Sequence, residues 1–243
     1  MTPHLSWPDE LSRDLQIANR SLAHEGVLDG FGHISVRHPR DAGLFLMARA
    51  VAPALMTPAD IQVFDLAGTR VGGLDAPSYG ERFIHAAVFE ARSDVQAVCH
   101  SHSPSVIPFS VTGQPLVPIM HMAALQGTEV RVWDIADEFG ETDLLVRNQD
   151  KGRSLARALG SRRALLMRGH GAVVTANDVR ELVMSAIYME LNARLLAQAL
   201  AFGRPVRALS EREAELVGQT NLQPANLGRA WDYWAARAEL LGT

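Results

Sequence analysis

Two short apolar runs in this chain each lead into histidine. Val95-Gln96-Ala97-Val98-Cys99 is followed by His100-Ser101-His102-Ser103-Pro104, and Leu165-Leu166-Met167 by Arg168-Gly169-His170-Gly171. If the first run is a strand, side chains two apart share a face, so His100 and His102 project together from its end. Glycines on both sides of His170 let backbone come close. Two imidazoles on one face can share a metal ion, and a third from elsewhere still leaves coordination positions open, which is the catalytic pattern. The plainer alternative treats His100 and His102 as polar strand-end residues bonded to nearby backbone. The local pattern leaves the two level, and the third histidine in its glycine turn tips them toward a metal.

The 243 residues allow one large α/β unit or two small ones, with an apolar fraction normal for a chain that buries a core. Net charge is -4, and no Lys/Arg block stands out, so nothing funnels nucleic acid. Lysine occurs once, at Lys151, leaving arginine as the carrier of positive charge and a natural partner for carboxylates. The single cysteine, Cys99, permits no intrachain disulfide and is expected in strand packing more than as a nucleophile. Asp9, Glu10 and Asp14 stand where a signal peptide would be apolar, and no stretch is long enough to span a membrane. The expectation is a soluble, cytoplasmic protein.

Residues 1–8 are expected to be frayed. Leu11, Leu15, Ala18 and Leu22 recur at helical spacing over 9–28. Gly30-Phe31-Gly32 then turns the chain into His33-Ile34-Ser35-Val36-Arg37, whose alternation predicts a strand. On local grounds His33 is as well explained as a surface-loop histidine, and Arg37 as a strand-surface arginine. Further strands are expected over 44–47, 61–66, 130–133 and 164–167. Pro77-Ser78 opens a helix in which Ser78 and Glu81 form a capping box. Glu81 has a second possible role as acid/base, one turn from His85, which is expected inside the fold. His121 lies in the apolar run 117–125, either packed in the core or lining a pocket. A long helix over 179–202 is apolar on most faces, and aromatic residues Trp231, Tyr233 and Trp234 mark a last helix over 227–241. No linker splits the chain, so a single domain is expected over 1–243, its core at about 10–205 and its C-terminal helices at 206–243. Irregular mixing of strands and helices points to a largely antiparallel α/β sheet.

Taken together, Gly32-His33-Ile34-Ser35-Val36-Arg37, Glu81 with His85, His100-Ser101-His102 and Gly169-His170-Gly171 resemble the class II aldolase/adducin family in order and spacing. The resemblance implies a three-layer α/β/α fold around a mixed, mainly antiparallel sheet. It also implies a homotetramer with sites near subunit interfaces, to which the last helix lends a residue. His100, His102 and His170 match ligands of Zn²⁺ or Mn²⁺, with Fe²⁺ or Co²⁺ also acceptable to three histidines. Glu81 matches the catalytic acid/base.

The departures narrow the reading. Sugar-phosphate aldolases of the family carry asparagine at the position of His33 and a serine/glycine phosphate loop near 47–53. Here that loop is Met47-Ala48-Arg49-Ala50-Val51-Ala52-Pro53, which lacks small hydroxyl donors. Arg49 remains to pair with a carboxylate. The Gly-His-Ile-Ser-Val-Arg form, His100-Ser101-His102-Ser103-Pro104 and Met120-His121-Met122-Ala123-Ala124-Leu125 are similar to a decarboxylase branch that includes 3-hydroxy-2-methylpyridine-4,5-dicarboxylate 4-decarboxylase. The resemblance implies decarboxylation of a hydroxy-substituted aromatic carboxylate. Glu81, His33 and His121 are then candidate proton donors, and Arg49, Arg37 and Ser78 candidate substrate contacts. A metal-dependent aldolase for a non-phosphorylated hydroxy acid or aldehyde is the alternative. A structural role, epimerisation and iron-dependent oxidation are remoter ones.

Overall fold

The strand-forming runs assemble into one eight-stranded sheet. In a computed structural model describing residues 5–240, the strands are β1 His33–Arg37, β2 Leu44–Ala48, β3 Ile61–Asp65, β4 Arg70–Gly73, β5 Ala97–Ser101, β6 Arg131–Trp133, β7 Ala164–Met167 and β8 Gly171–Ala176. They lie in the order β4-β3-β2-β1-β5-β8-β7-β6, antiparallel throughout except for the β6/β7 pair. The helices are α1 Asp9–His24, α2 Arg82–Ala91, α3 Ile107–Thr112, α4 Ala136–Phe139, α5 Gln149–Leu159, α6 Val179–Ala201, α7 Glu211–Asn221 and α8 Pro224–Leu240. Residues 1–4 of the stretch expected to fray, and residue 241 of the expected last helix, lie outside the described residues.

Each face of the sheet has its own core. Phe45, Met47, Phe64 and Leu165 pack under Val88 of α2 and Leu155 of α5. On the other face Ile34, Leu46, Cys99 and Val174 pack under Leu22 of α1, Leu182 of α6 and Trp234 of α8. This is the three-layer α/β/α arrangement around a mixed, mostly antiparallel sheet. Successive side chains of β2 feed opposite cores, which is why all five of its residues are buried and the strand reads as a continuous apolar run. Among the described residues, no helix is long and apolar enough to cross a membrane.

Three local expectations are corrected. Residues 5–8 are not frayed: Leu5 is in the core and Trp7 Nε1 donates to Ser12 Oγ at 2.6 Å. Helix α1 stops at His24, because Gly26 takes φ +74° and the Val27 and Leu28 amides both return to the Leu22 carbonyl. That fold-back buries Val27 and Leu28 without continuing the helix. Helix α2 starts at Arg82, and the Ser78–Glu81 capping box does not form: Ser78 Oγ donates to Gln62 Oε1 at 2.8 Å, which leaves the Glu81 carboxylate to other partners.

Sheet register decides which groups meet. His33 of β1 sits opposite His100 of β5, and Ser101 sits opposite Ala172 of β8. The chain approaches so closely here that a Cβ on Gly171 would fall 1.9 Å from the Ser101 carbonyl oxygen, far inside van der Waals contact with backbone. Gly171→Ala is therefore expected to lower the unfolding free energy by about 3 kcal/mol, the scale of overpacking in a filled core, and to lower metal affinity with it. Urea unfolding and metal titration of the same sample read both effects.

Candidate metal centre

Four side chains from three parts of the chain converge at one end of the central strands. His100 is the penultimate residue of β5, His102 follows the strand, His170 occupies the β7–β8 turn, and Glu81 immediately precedes α2. One ligand atom from each lies within 4.8 Å of the others. Backbone alternation sends Cys99 into the core under α1 and α6 and His100 to the opposite face, toward α2.

The hydrogen bonds orient the three rings alike. His100 Nδ1 pairs with the Ala172 carbonyl at 3.2 Å, His102 Nδ1 with Asp29 Oδ2 at 3.0 Å and His170 Nδ1 with the Leu144 carbonyl at 3.0 Å. An acceptor at Nδ1 places the ring proton there and turns a bare Nε2 lone pair inward. The consequence is visible in two places. His100 Nε2 is fully buried without a hydrogen-bond partner, and the Nε2 atoms of His102 and His170 approach to 3.2 Å. Lone pairs gathered this way are what a divalent cation requires, so the donor set fits a metal with three imidazole ligands.

Glu81 lies alongside. Its Oε1 accepts from the Val146 amide at 2.9 Å, while Oε2 stands 3.6 Å from His100 Nε2 and 3.5 Å from His170 Nε2. Burial pushes its carboxyl upward, but whenever His100 or His170 carries a proton on Nε2 their contacts outweigh burial and hold it well below the usual carboxylate range. Burial lowers His100, which favours the neutral ring that binds metal.

Supporting contacts fix the loop geometry. Asp29 holds His102 while its other oxygen accepts the Phe31 and Gly32 amides at 2.8 and 2.9 Å. Burial raises this carboxyl, but those amides and His102 lower it by more. Asp29→Asn is expected to weaken metal binding about 10- to 100-fold with the fold intact, read by competition with a chelating dye. Glu190 of α6 accepts from the hydroxyls of Ser103 and Ser105 and the Ser105 amide, anchoring the turn after His102.

The other sequence-singled residues fall in different places. His33 is buried, not on a surface loop; its ring lies 5.1 Å from that of His100 and 4.6 Å from that of Tyr79. Arg49 Nε donates to Asp60 Oδ1 at 2.6 Å, and its side chain is about one-third exposed. Ser78 is engaged by Gln62, whose amide in turn closes the 74–76 loop. Arg37 is not brought to the cluster. It ends β1 four residues from His33, and its guanidinium is committed to the carbonyls of Ala42, Phe89, Arg92 and Val95 over the Phe89 ring. Four of its five N–H groups are spent on these carbonyls, away from the clustered histidines. His121 is exposed and lies in a cleft of about 500 Å³ with Tyr188, Arg229, Tyr233 and Trp234, apart from the four clustered groups. Cys99 is buried, and burial pushes its thiol up to about 12, which leaves it inert.

Sequence reasoning missed the 140–146 loop. It supplies the Leu144 carbonyl to His170 and the Val146 amide to Glu81, and it does so through backbone atoms. Its local signal in the structure is Leu144 at φ +63°, a left-handed conformation uncommon for leucine.

His85 is buried beneath His33, and burial followed by its neighbour His100 depresses it to about 3. The unfolded chain takes up this proton near 6.5, while the folded chain does so only near 3. Between those values the unfolded state binds more protons, so stability falls as pH falls, by about 1.4 kcal/mol per unit for this ring. Urea unfolding is expected to show a loss of about 2 kcal/mol from His85 between pH 7 and pH 5, absent in His85→Gln.

Comparison with known proteins agrees with this geometry. The sequence profile of the Class II Aldolase and Adducin N-terminal domain matches residues 13–197. The chain is 33% identical to the decarboxylase tropJ of Talaromyces stipitatus over 242 residues, covering 91% of each chain. It is 30% identical to the 3,4-dihydroxyphthalate decarboxylase of Arthrobacter keyseri over 227 residues, covering 87% of this chain and 89% of that one. In fold it is similar to an aldolase II superfamily protein from Pseudomonas syringae, with a TM-score of 0.80, 21% identity and coverage of 100% and 96%. With a matched profile spanning most of its length and four separated site motifs in register, the chain belongs to the class II aldolase/adducin family.

Proposed function

We propose that this protein is a metal-dependent decarboxylase of a hydroxy-substituted aromatic or heteroaromatic carboxylate, such as a dihydroxyphthalate or 3-hydroxy-2-methylpyridine-4,5-dicarboxylate. The observation that carries the reading is the convergence of three imidazole Nε2 atoms beside the Glu81 carboxylate. The relatives named as 3,4-dihydroxyphthalate decarboxylases support the substrate class, and the decarboxylase tropJ the reaction. His100, His102 and His170 would hold the ion, Mn²⁺ or Zn²⁺, with Fe²⁺ or Co²⁺ also accepted by such a donor set. Bound there, a divalent cation supplies Lewis acidity that offsets negative charge developing on substrate oxygens.

The chain's own groups handle the proton. Glu81 is ionised at rest, so it acts first as a base and takes the substrate's phenolic proton. It then returns that proton to the ring carbon bearing the departing carboxylate. Cleavage of the C–C bond releases CO₂ and restores the aromatic ring with the bond's electron pair. The Val146 amide keeps Oε1 in place through both transfers. Arg49 would receive a second carboxylate, a role that its partial exposure beyond the bond to Asp60 supports. The 47–53 loop offers no small hydroxyl to a phosphate, which favours a carboxylate over a sugar phosphate. Assembly as a homotetramer, with sites near subunit boundaries, belongs to the same proposal.

The test is a panel of hydroxyphthalate and hydroxypyridine carboxylates, with CO₂ and product mass recorded after metal stripping and after return of Mn²⁺ or Zn²⁺. Metal-restored CO₂ release from at least one of them is the expected result. Cleavage of a hydroxy acid to pyruvate and an aldehyde, with no CO₂, would assign the protein to the aldolases of its family instead.

A further inference from the structure

Behind the metal centre runs a buried chain of hydrogen bonds that ends on His33. Ser35 Oγ lies 2.6 Å from His85 Nδ1, and His85 Nε2 lies 2.7 Å from His33 Nδ1. All three residues are buried, Ser35 and His85 completely. Serine's hydroxyl must donate its proton to an acceptor when it is removed from water, and among the described residues the acceptor found for it is His85 Nδ1.

That one donor sets the polarity of the whole chain. If His85 Nδ1 accepts, its proton is on Nε2 and is donated to His33 Nδ1. If His33 Nδ1 accepts, its own proton is on Nε2. We infer that Ser35 and His85 are positioning residues that hold His33 as a neutral Nε2–H donor, and that His33 binds an anionic oxygen of the substrate instead of protonating carbon. The inference rests on the decarboxylase reading for the identity of that oxygen, a carboxylate or phenolate, but not for the tautomer itself.

Proton accounting excludes the acid role. For His33 to give up its Nε2 proton as a neutral acid, Nδ1 would have to gain one from His85 Nε2. His85 would then draw the proton of Ser35, leaving an alkoxide among buried apolar groups, at a cost far above that of losing CO₂ by another route. Protonated imidazolium is no better supported, because it would set an N–H of His33 Nδ1 against the N–H of His85 Nε2 across 2.7 Å. Tilted contacts of the His33 ring with those of Tyr79 and His100 further restrict its orientation.

Two measurements test this. The first is long-range ¹H–¹⁵N correlation of histidine-labelled full-length protein, metal-free and loaded with Zn²⁺, with His33 assigned by its loss in His33→Gln. Protonation at Nε2 and a bare Nδ1 on both His33 and His85 is the expected pattern. In Ser35→Ala, which removes one oxygen and little volume, His33 should show a second tautomer. A His33 ring protonated at Nδ1, or one unchanged by Ser35→Ala, overturns the inference. The second measurement is steady-state kinetics on the carboxylate that releases CO₂. His33→Gln keeps a side-chain N–H donor, so KM should rise about tenfold with kcat within about tenfold of native, the scale of one hydrogen bond to a charged group. A kcat reduced about a thousandfold at unchanged KM would make His33 the acid and overturn the inference. The tautomer pattern is independent of turnover: if it is found and no carboxylate releases CO₂, the reaction assignment falls while the tautomer stands.

Discussion

His100→Ala should lose both the bound divalent cation and turnover. Its imidazole is completely buried, and its Nε2 has no protein hydrogen bond to fall back on. A set of three imidazoles that together contribute roughly 10 kcal/mol loses about 3–4 kcal/mol with one member, a fall of two to three orders of magnitude in metal affinity. At the metal concentrations of an assay the variant would be largely empty, and kcat/KM should drop about a thousandfold or more. The metal-free form should lose about 2 kcal/mol of stability, because the buried ring leaves a cavity and its bond to the Ala172 carbonyl goes, offset in part by removal of the unpartnered Nε2. Metal analysis after dialysis, thermal melting and CO₂ release separate the three expectations.

Glu81→Gln should leave the metal and remove the chemistry. Glutamine matches the shape, and its carbonyl oxygen can still accept from the Val146 amide. It cannot take up the phenolic proton or hand it on. General acid/base contributions of about 10²- to 10⁴-fold set the expected fall in kcat. KM should change by much less, since the substrate would remain bound by the histidine-held cation, His33 and Arg49. Replacement of a negative charge by a neutral amide should weaken the metal by no more than about tenfold, the low end for a group at the edge of a site. A Glu81→Gln protein that turns over at the native rate would remove Glu81 from the proton path.

Much of this site is legible from residue order, because the chemistry sits at strand ends. The run ending in His100 and the glycine turn around His170 identify themselves by alternation and by glycine, and sheet register then brings them together. Glu81 is harder. Its spacing from Ser78 fits a capping box, and only the competing bond from Ser78 to Gln62 shows the carboxylate to be free for His100 and His170. Arg37 and Arg49 look alike as cations in loops or strand ends, yet one spends four of its five N–H groups on backbone carbonyls and the other is held by the carboxylate of Asp60. Those carbonyls come from residues 42, 89, 92 and 95, which nothing in local sequence places together. The 140–146 loop escapes for a related reason: its contribution is a carbonyl and an amide, which every residue type carries. The fold was more readable than its boundaries. α1 shows why, since the pattern of apolar residues runs on through Val27 and Leu28 while the backbone has already turned at Gly26.

The central claim is that this chain breaks a carbon–carbon bond next to a carboxylate with a metal held by His100, His102 and His170. The most direct measurement is CO₂ release as a function of metal occupancy, with Mn²⁺ or Zn²⁺ returned stepwise to stripped protein and X-ray absorption recorded at each step. The account predicts that rate rises in proportion to occupancy, levels at one ion per chain, and is accompanied by nitrogen scattering from three imidazoles. Full CO₂ release from the stripped protein, or saturation with an ion that His100→Ala still binds at native strength, would contradict it.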